Sequence, residues 1–430
     1  MRVLLIATNR HDRLVSRMNA QPLPIGLAYI AGAFAASRHE VKTLDLMFSE
    51  DPLDDVQQAV QEFQPALVGL SIRNLSNQSY LDPQWALPFS KAVIDKIRAL
   101  TSTTIVCGGP AFSILPKAIF AYMDPDLGLA GDAAETFVQL ADSLESDTSY
   151  ANLPGVVYRQ GGEVIFNGTR CASAFTSPPR LDDLDMQKYA QAGFGIGVLT
   201  KLGGFYYPTS GSQVEVDQAA WRVIRPIDAV VQDVRDMQQR YGLQKVFFID
   251  SGFNVPLSHA KGLCRALLAA DVKVRWNTAL APFGCDQELI GLMKQAGCAL
   301  VLMGNMRGDP HDRAGLGDRI VPMLETCHLC EEQDLHYTLS VAFGEPGETR
   351  DTVEEKLNFL RSIKPALANL RIGVNILPGT AIAAKAVAEG RIADEAELIK
   401  PTFYLAESVR DWIVDYLQAE KAKHPRWNLV

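Results

Sequence analysis

No cysteine occurs between Cys171 and Cys264, and the whole chain of 430 residues has only seven, scattered and odd in number. That supply gives no disulfide framework; it points to reduced thiols and a cytoplasmic location. Long apolar runs are also missing. Arg, Asp or Gln breaks each one short of the ~18 residues that a membrane span needs, so no membrane partner is expected. The opening MRVLLIATNRHDR is too briefly apolar for a signal peptide and reads as a first β-strand. Basic clusters are absent: the net charge of −9 is spread along the chain, which argues against nucleic acid as a partner. There is no internal repeat and no low-complexity tract. With 47% apolar and 21% charged residues, the chain reads as globular, and its length suggests two or three domains.

Short apolar runs alternate with amphipathic stretches. Residues 2–7, 41–44, 66–72, 104–107 and 127–130 read as strands; 24–37, 53–63, 88–100 and a stretch from Ala133 read as helices. The fold class is α/β, with a doubly wound, Rossmann-like parallel sheet over 1–148. Ligands of such sheets sit at the carboxyl ends of the strands, here residues 8–13, 71–76, 108–110 and 131–135. Residues 149–192 read as a hairpin turning at Gly161–Gly162, then a Pro-rich linker. Over 193–380 the alternation resumes, with strands expected at 195–200, 245–249, 273–277, 300–303, 337–341 and 368–377. Six strands in one series suggest a partial (β/α)6 barrel with its site at the strands' C-terminal ends. Residues 381–430 read as a C-terminal helical extension.

Several stretches, in order, carry a resemblance. In the first half they are PLPIGLAYIAGAF, HEVKTLDL, GLSIRNLSNQSY, VCGGPAFSILP and GLAGDAAETF. In the second they include RLDDLDMQKY, GVLTKLGG, VFFIDSGFNVP, LIGLMKQAGC, FGEPGETRDTVEE, RIGVNILPGTAIAAKAVAEGRI and KPTFYLAESVRDWI. Together they resemble the radical SAM superfamily members that carry a cobalamin (B12)-binding domain. The resemblance covers nearly the whole chain and implies a cobalamin domain at 1–148 and a radical-SAM-like barrel after it. It implies cofactor contacts from Pro24, Ile25, Ser71, Ile72, Arg73, Asn74, Gly108, Gly109, Pro110, Gly131 and Glu135, with Ser251 and Asn254 in the barrel. Asp250 is the barrel's candidate catalytic carboxylate.

One departure stands out. Where these proteins carry C-x-x-x-C-x-x-C after TK-x-G, this chain reads TKLGGFYYPTSG, placing Gly204, Pro208 and Gly211 at the cysteine positions. Three thiolates hold three irons of a 4Fe–4S cluster and leave the fourth for SAM. Neither glycine nor proline offers a ligand, so no cluster is expected. The usual Gly-x-Asp or Gly-x-Glu that orients SAM is Gly304–Asn305–Met306, and Asp318 replaces a common Lys. SAM therefore stays open as a cofactor, and cobalamin is the expected one.

Smaller signals have two readings each. His11, followed by Asp12, reads as an exposed loop histidine, with cobalt's lower axial ligand as the alternative; Asn9 stands where that motif has an acid and Leu14 where it has a glycine. Arg73 is either a loop-bracing arginine or a positive charge beneath the corrin that discourages axial ligation. Cys327 and Cys330 read as buried helix cysteines rather than a metal pair. Tyr206 and Tyr207, with Phe205, fill the emptied cluster loop or wall a substrate site. The expected function is cobalamin-dependent polar methyl transfer to a small-molecule substrate, with Arg73, Tyr206, Tyr207 and Asp250 as catalytic candidates. The alternatives are a cobalamin carrier, a partner subunit of an active radical SAM protein or of a reductase, and other corrin chemistry. Neutral polar residues (Asn254, Asn277, Asn305, Asn375) at the barrel mouth disfavour a multiply charged phosphate substrate.

Overall fold

The computed structural model describes residues 1–9, 21–175, 177–191, 196–203, 221–250, 252–281, 284–306 and 316–430. His11, Gly204, Tyr206, Tyr207, Pro208, Gly211 and Ser251 lie outside them. The chain divides into two compact units. One comprises Met1–Asn77, Gln84–Gly193 and Ala396–Pro401; the other comprises Gln78–Pro83, Phe194–Glu395 and Thr402–Val430.

In the first unit the strands are β1 (Arg2–Ala7), β2 (Glu40–Asp45), β3 (Leu67–Ser71), β4 (Thr104–Gly108), β5 (Leu127–Leu129), β6 (Val156–Gln160) and β7 (Glu163–Phe166). The helices are α1 (Ile25–Ala35), α2 (Pro52–Phe63), α3 (Leu87–Leu100), α4 (Pro110–Ile114), α5 (Pro116–Met123), α6 (Ala134–Glu145) and α7 (Met186–Gln191). The sheet runs β2-β1-β3-β4-β5-β6-β7, with β1 to β5 parallel.

Both faces of its central strands are apolar because both are covered. Leu4 and Ile6 of β1, Val68 and Leu70 of β3, and Ile105 and Cys107 of β4 pack with Val56, Val60, Ile94, Ile97 and Phe120 of α2, α3 and α5. The alternate residues Val3, Leu5, Ala7, Leu67 and Val106 pack with Leu27, Ala31 and Phe34 of α1 and Phe137 and Leu140 of α6. Helix α2 starts sharply because Asp51 accepts from the Asp54 backbone N–H and Pro52 opens the first turn.

The hairpin expected inside the 149–192 linker belongs to this sheet: β6 pairs antiparallel with β5 and β7 with β6. Gly161 and Gly162 turn it, both at positive φ (58° and 88°).

The second unit has β8 (Ile196–Val198), β9 (Lys201–Gly203), β10 (Trp221–Ile224), β11 (Lys245–Phe248), β12 (Arg275–Leu280), β13 (Cys298–Met306), β14 (His336–Phe343), β15 (Leu367–Ile372), β16 (Val374–Asn375), β17 (Phe403–Tyr404) and β18 (Trp427–Leu429). Its helices are α8 (Ile227–Tyr241), α9 (Leu257–Ala269), α10 (Gln287–Gln295), α11 (Leu316–Glu332), α12 (Arg350–Ser362), α13 (Ala381–Ala388), α14 (Glu407–Arg410) and α15 (Ile413–Lys423). Strands β8, β11, β12, β13, β14 and β15 lie side by side in chain order, all parallel, as in an opened β/α barrel.

Two details differ from the sequence reading. The single strand expected at 368–377 is split by Gly373, at φ +71°, into β15 and β16. The C-terminal segment is not purely helical: β18 adds to the open edge, pairing parallel with β15. Its outer residues Trp427 and Leu429 are buried while Asn428 between them is not, a strand alternation too short to stand out in the sequence.

Candidate functional site

In the first unit the winding direction reverses between β1 and β3, and the carboxyl ends of these strands form the rim where this architecture takes ligands. Thr8 ties the two together: its N–H and its hydroxyl both donate to the Ser71 carbonyl, at 3.2 and 3.1 Å. The same hydroxyl lies 2.8 Å from Ser90 Oγ.

Asn9 follows, 3% exposed. Its Nδ2 faces the Tyr189 hydroxyl oxygen at 3.5 Å, and that hydroxyl donates to Asp45 Oδ2 at 2.6 Å. Asp45 Oδ1 accepts from the Met47 N–H at 3.1 Å. Asn9 Oδ1 is buried and has no hydrogen-bond partner among the described residues. Burial raises the Asp45 pKa above its ordinary 3.8, against the hydrogen bonds from Tyr189, Met47 and Asn9. Burial also pushes the Tyr189 hydroxyl well up. The Asp45 charge adds to that rise, while Asn9 and the positive charge of Arg73 work against it.

The other predicted contacts surround this point. The Ile72 N–H donates to the Gly108 carbonyl at 2.9 Å, and the Ile72 carbonyl accepts from Ala111 at 3.1 Å. Gly109, at φ +100°, lies so close that a Cβ would meet the Ile72 oxygen at 2.6 Å and Ser71 Oγ at 3.0 Å. The Gly108–Gly109–Pro110 turn is thus pressed onto the end of β3 and brought beside Ser71. Arg73 and Pro110 are exposed; Pro24, Ile25, Ser71 and Asn74 are half-buried.

Gly131 and Glu135 serve another segment. Gly131, at φ +93°, bridges to Arg170, whose oxygen a Cβ would meet at 2.0 Å. Glu135 pairs with the Arg170 guanidinium at 2.8 Å. These two residues therefore hold the segment around Arg170 in place, a contact that no local pattern announces.

A corrin's arms end in amides, which call for both donors and acceptors. The rim supplies backbone donors at the starts of α1 and α6, which no side chain caps. It supplies the Ser71 hydroxyl and the unmatched Asn9 oxygen, and Gly26 is exposed, with nothing among the described residues within 4 Å of where its Cβ would stand. This donor set fits the group that the resemblance implies.

In the second unit, Asp250 and Asn254 are both engaged within the protein. Asp250, 3% exposed, accepts from the Thr200 N–H at 3.4 Å and takes a short hydrogen bond from the Thr200 hydroxyl. Lys201 Nζ lies 3.5 Å from its Oδ2. The ammonium also donates to the carbonyls of Gly252, Phe253 and Val255 at 3.0, 3.1 and 2.8 Å. Asn254 donates to the Ala281 carbonyl at 3.2 Å and accepts from the Ala281 N–H at 2.8 Å. Asp250 thus clamps β9 to the turn after β11, and Asn254 clamps that turn to the end of β12. Burial lowers the Lys201 pKa, with Asp250 opposing. Burial and the Lys201 charge lower that of His259, whose Nε2 sits 3.2 Å from the Arg225 carbonyl.

A second buried charge group occupies the PGET turn. Lys356 Nζ lies 2.7 Å from Glu348 Oε2 and 3.0 Å from Glu345 Oε2, and donates to the Ala342 carbonyl at 2.8 Å. Cys327 and Cys330 are buried on α11, and burial pushes the Cys327 thiol up to about 12. Lys201, Lys356, Tyr189 and Asp45 were not among the predicted site residues. A lysine inside an apolar stretch such as GVLTKLGG was the available signal for the first.

Two surface cavities, of about 390 and 350 Å³, are lined by none of the predicted binding residues. No helix among the described residues is long and apolar enough to cross a membrane.

Comparison with known proteins bears on the same regions. The B12 binding domain model matches residues 14–141. The tryptophan 2-C-methyltransferase of Streptomyces laurentii is 25% identical over 442 residues, covering 85% of this chain and 72% of that protein. An uncharacterized methyltransferase of Pyrococcus horikoshii is 22% identical over 396 residues, covering 90% and 83%. Among solved structures, the radical S-adenosylmethionine methyltransferase TsrM of Kitasatospora setae superposes with a TM-score of 0.83 at 21% identity, covering 99% of this chain and 90% of that one. TsrM has been solved with tryptophan and a SAM analog, and with cobalamin and a 4Fe–4S cluster. The cobalamin-dependent S-adenosylmethionine radical enzyme OxsB gives 0.66 at 15% identity, covering 99% and 61%. Residues 14–141 are therefore a B12-binding domain, and the chain that carries them has the fold of the cobalamin-dependent radical S-adenosylmethionine enzymes.

Proposed function

We propose that this protein binds cobalamin at the carboxyl rim of its first sheet and transfers a methyl group to a small-molecule substrate by two-electron chemistry, without an iron–sulfur cluster. The B12-binding match and the methyltransferase relatives support the first part. The observation that carries the second is in the sequence: from Lys201 to Arg225 there is no thiolate, and Gly204, Pro208 and Gly211 stand at the cluster positions.

When bound, the corrin supplies a cobalt centre that can carry and release a methyl group, the protein contributing binding, orientation and electrostatics. The chain's own part begins at the rim, where Ser71, Gly109 and the open start of α1 would receive the cofactor. Arg73, exposed just beyond β3, would hold a fixed positive charge beneath it and discourage a basic side chain from approaching the metal. Tyr206 and Tyr207 would wall the substrate and exclude water from the reacting atoms. The half-buried neutral side chains of Asn277 and Asn375 argue against a multiply charged phosphate acceptor. Asp250, with its oxygens held by Thr200 and Lys201, would position the turn after β11 rather than move protons.

The test is the visible spectrum after incubation with hydroxocobalamin and desalting. A retained, shifted corrin band is expected, its position consistent with no protein nitrogen on cobalt. A colourless protein would overturn the reading.

A further inference from the structure

We infer that Asn9 is a cofactor-contacting residue whose side-chain oxygen accepts a hydrogen bond from an amide arm of the corrin. The inference rests on the cobalamin reading above.

Four observations lead to it. Asn9 directly follows Thr8 at the carboxyl end of β1, beside β3, where the sheet's winding reverses. Its side chain is almost fully buried, yet Oδ1 has no donor among the described residues. Buried polar atoms are bonded in the large majority of cases, so an orphan acceptor at a ligand rim calls for a donor that the described residues do not supply. The amide is also held one way round. The Tyr189 hydroxyl donates to Asp45 Oδ2, leaving its oxygen to face Asn9 Nδ2 at 3.5 Å. Flipping the amide would set two acceptors against each other, so Oδ1 stays turned away from the Asp45–Tyr189 pair.

The missing group is a neutral N–H or O–H donor. Corrin arms are primary amides and offer N–H donors around the whole ring. An anionic nucleotide phosphate offers none, and an amide oxygen would repel it.

The test uses the full-length protein with Asn9→Leu and the smaller Asn9→Ser, titrated by visible absorbance with hydroxocobalamin and with cobinamide, which keeps the amide arms and lacks the nucleotide tail. Thermal melts of the cofactor-free proteins run alongside. Loss of one neutral hydrogen bond predicts a Kd about 3–10-fold weaker for both corrinoids. Melting temperatures should stay near the wild-type value, because the leucine variant loses the Nδ2 contact to Tyr189 but also removes an unsatisfied buried oxygen. Unchanged affinity in both variants overturns the inference. So does a loss confined to hydroxocobalamin, which would assign the oxygen to the tail. Variants that melt far below the wild type, or do not fold, would show that the protein itself needs the amide and overturn it too. A wild-type protein that binds neither corrinoid would instead remove the cobalamin reading on which it stands.

Discussion

Lys201 and Asp250 face one another inside the second unit, Nζ 3.5 Å from Oδ2, with neither side chain exposed. Withdrawing two charges from water is costly, and the cost is offset here because the three N–H donors of the ammonium each reach a carbonyl while its charge faces the carboxylate. Lys201→Met should strand the carboxylate and three acceptors together. The expected loss of stability is about 3–5 kcal/mol, read from urea unfolding. Asp250→Asn, which keeps an acceptor for Thr200, should lose clearly less. Equal and small losses in the two variants would contradict the clamp.

Asp45 makes stability depend on pH in a predictable direction. Its pKa is raised in the folded protein by burial, so the folded state holds the proton more tightly than the unfolded chain. Its contribution is fully present below the ordinary 3.8 and is lost as pH rises through the raised folded value. Asp45→Asn should flatten that part of the stability–pH curve. Melting curves across pH 4 to 8 for both proteins check it; a steeper curve in the variant would reverse the sign.

Gly109 is required by its neighbours. At φ +100°, with Ile72 backbone atoms 2.6 and 2.8 Å from any Cβ, even alanine must displace main chain. Gly109→Ala should lose at least about 1–3 kcal/mol and weaken corrin retention in parallel, since the turn lies against Ser71. Gly26→Ala, with no described neighbour within reach, should leave the melting temperature nearly unchanged.

The thiols should divide sharply. Cys171 is exposed, while Cys264, Cys285 and Cys327 have pKa values pushed up to about 12 by burial. Ellman's reagent on the native protein should label Cys171 quickly and the others only after denaturant is added. Rapid native labelling of Cys327 or Cys330 would contradict their placement in the core of α11.

The strands were legible because they are buried on both faces: stretches such as 66–70 are continuously apolar and stand out from the amphipathic segments between them. The rim was legible for a related reason, since a ligand site in this architecture follows the ends of strands already located. Ser71, Ile72 and Gly109 do meet there. Gly131 and Glu135 also follow a strand end, but their contact with Arg170, 35 positions beyond Glu135, carries no local pattern. Asp45 and Tyr189 are 144 positions apart, and neither residue alone carries a pattern. β18 escaped because three residues are too few for an alternation to register.

A corrin bound without a cluster leaves a plain mark in the metal content of the protein. The measurement is metal analysis of the purified protein after anaerobic incubation with iron, sulfide and hydroxocobalamin, followed by desalting. Stoichiometric cobalt and only trace iron are expected. Iron at cluster stoichiometry, or protein without cobalt, would contradict the cluster-free reading.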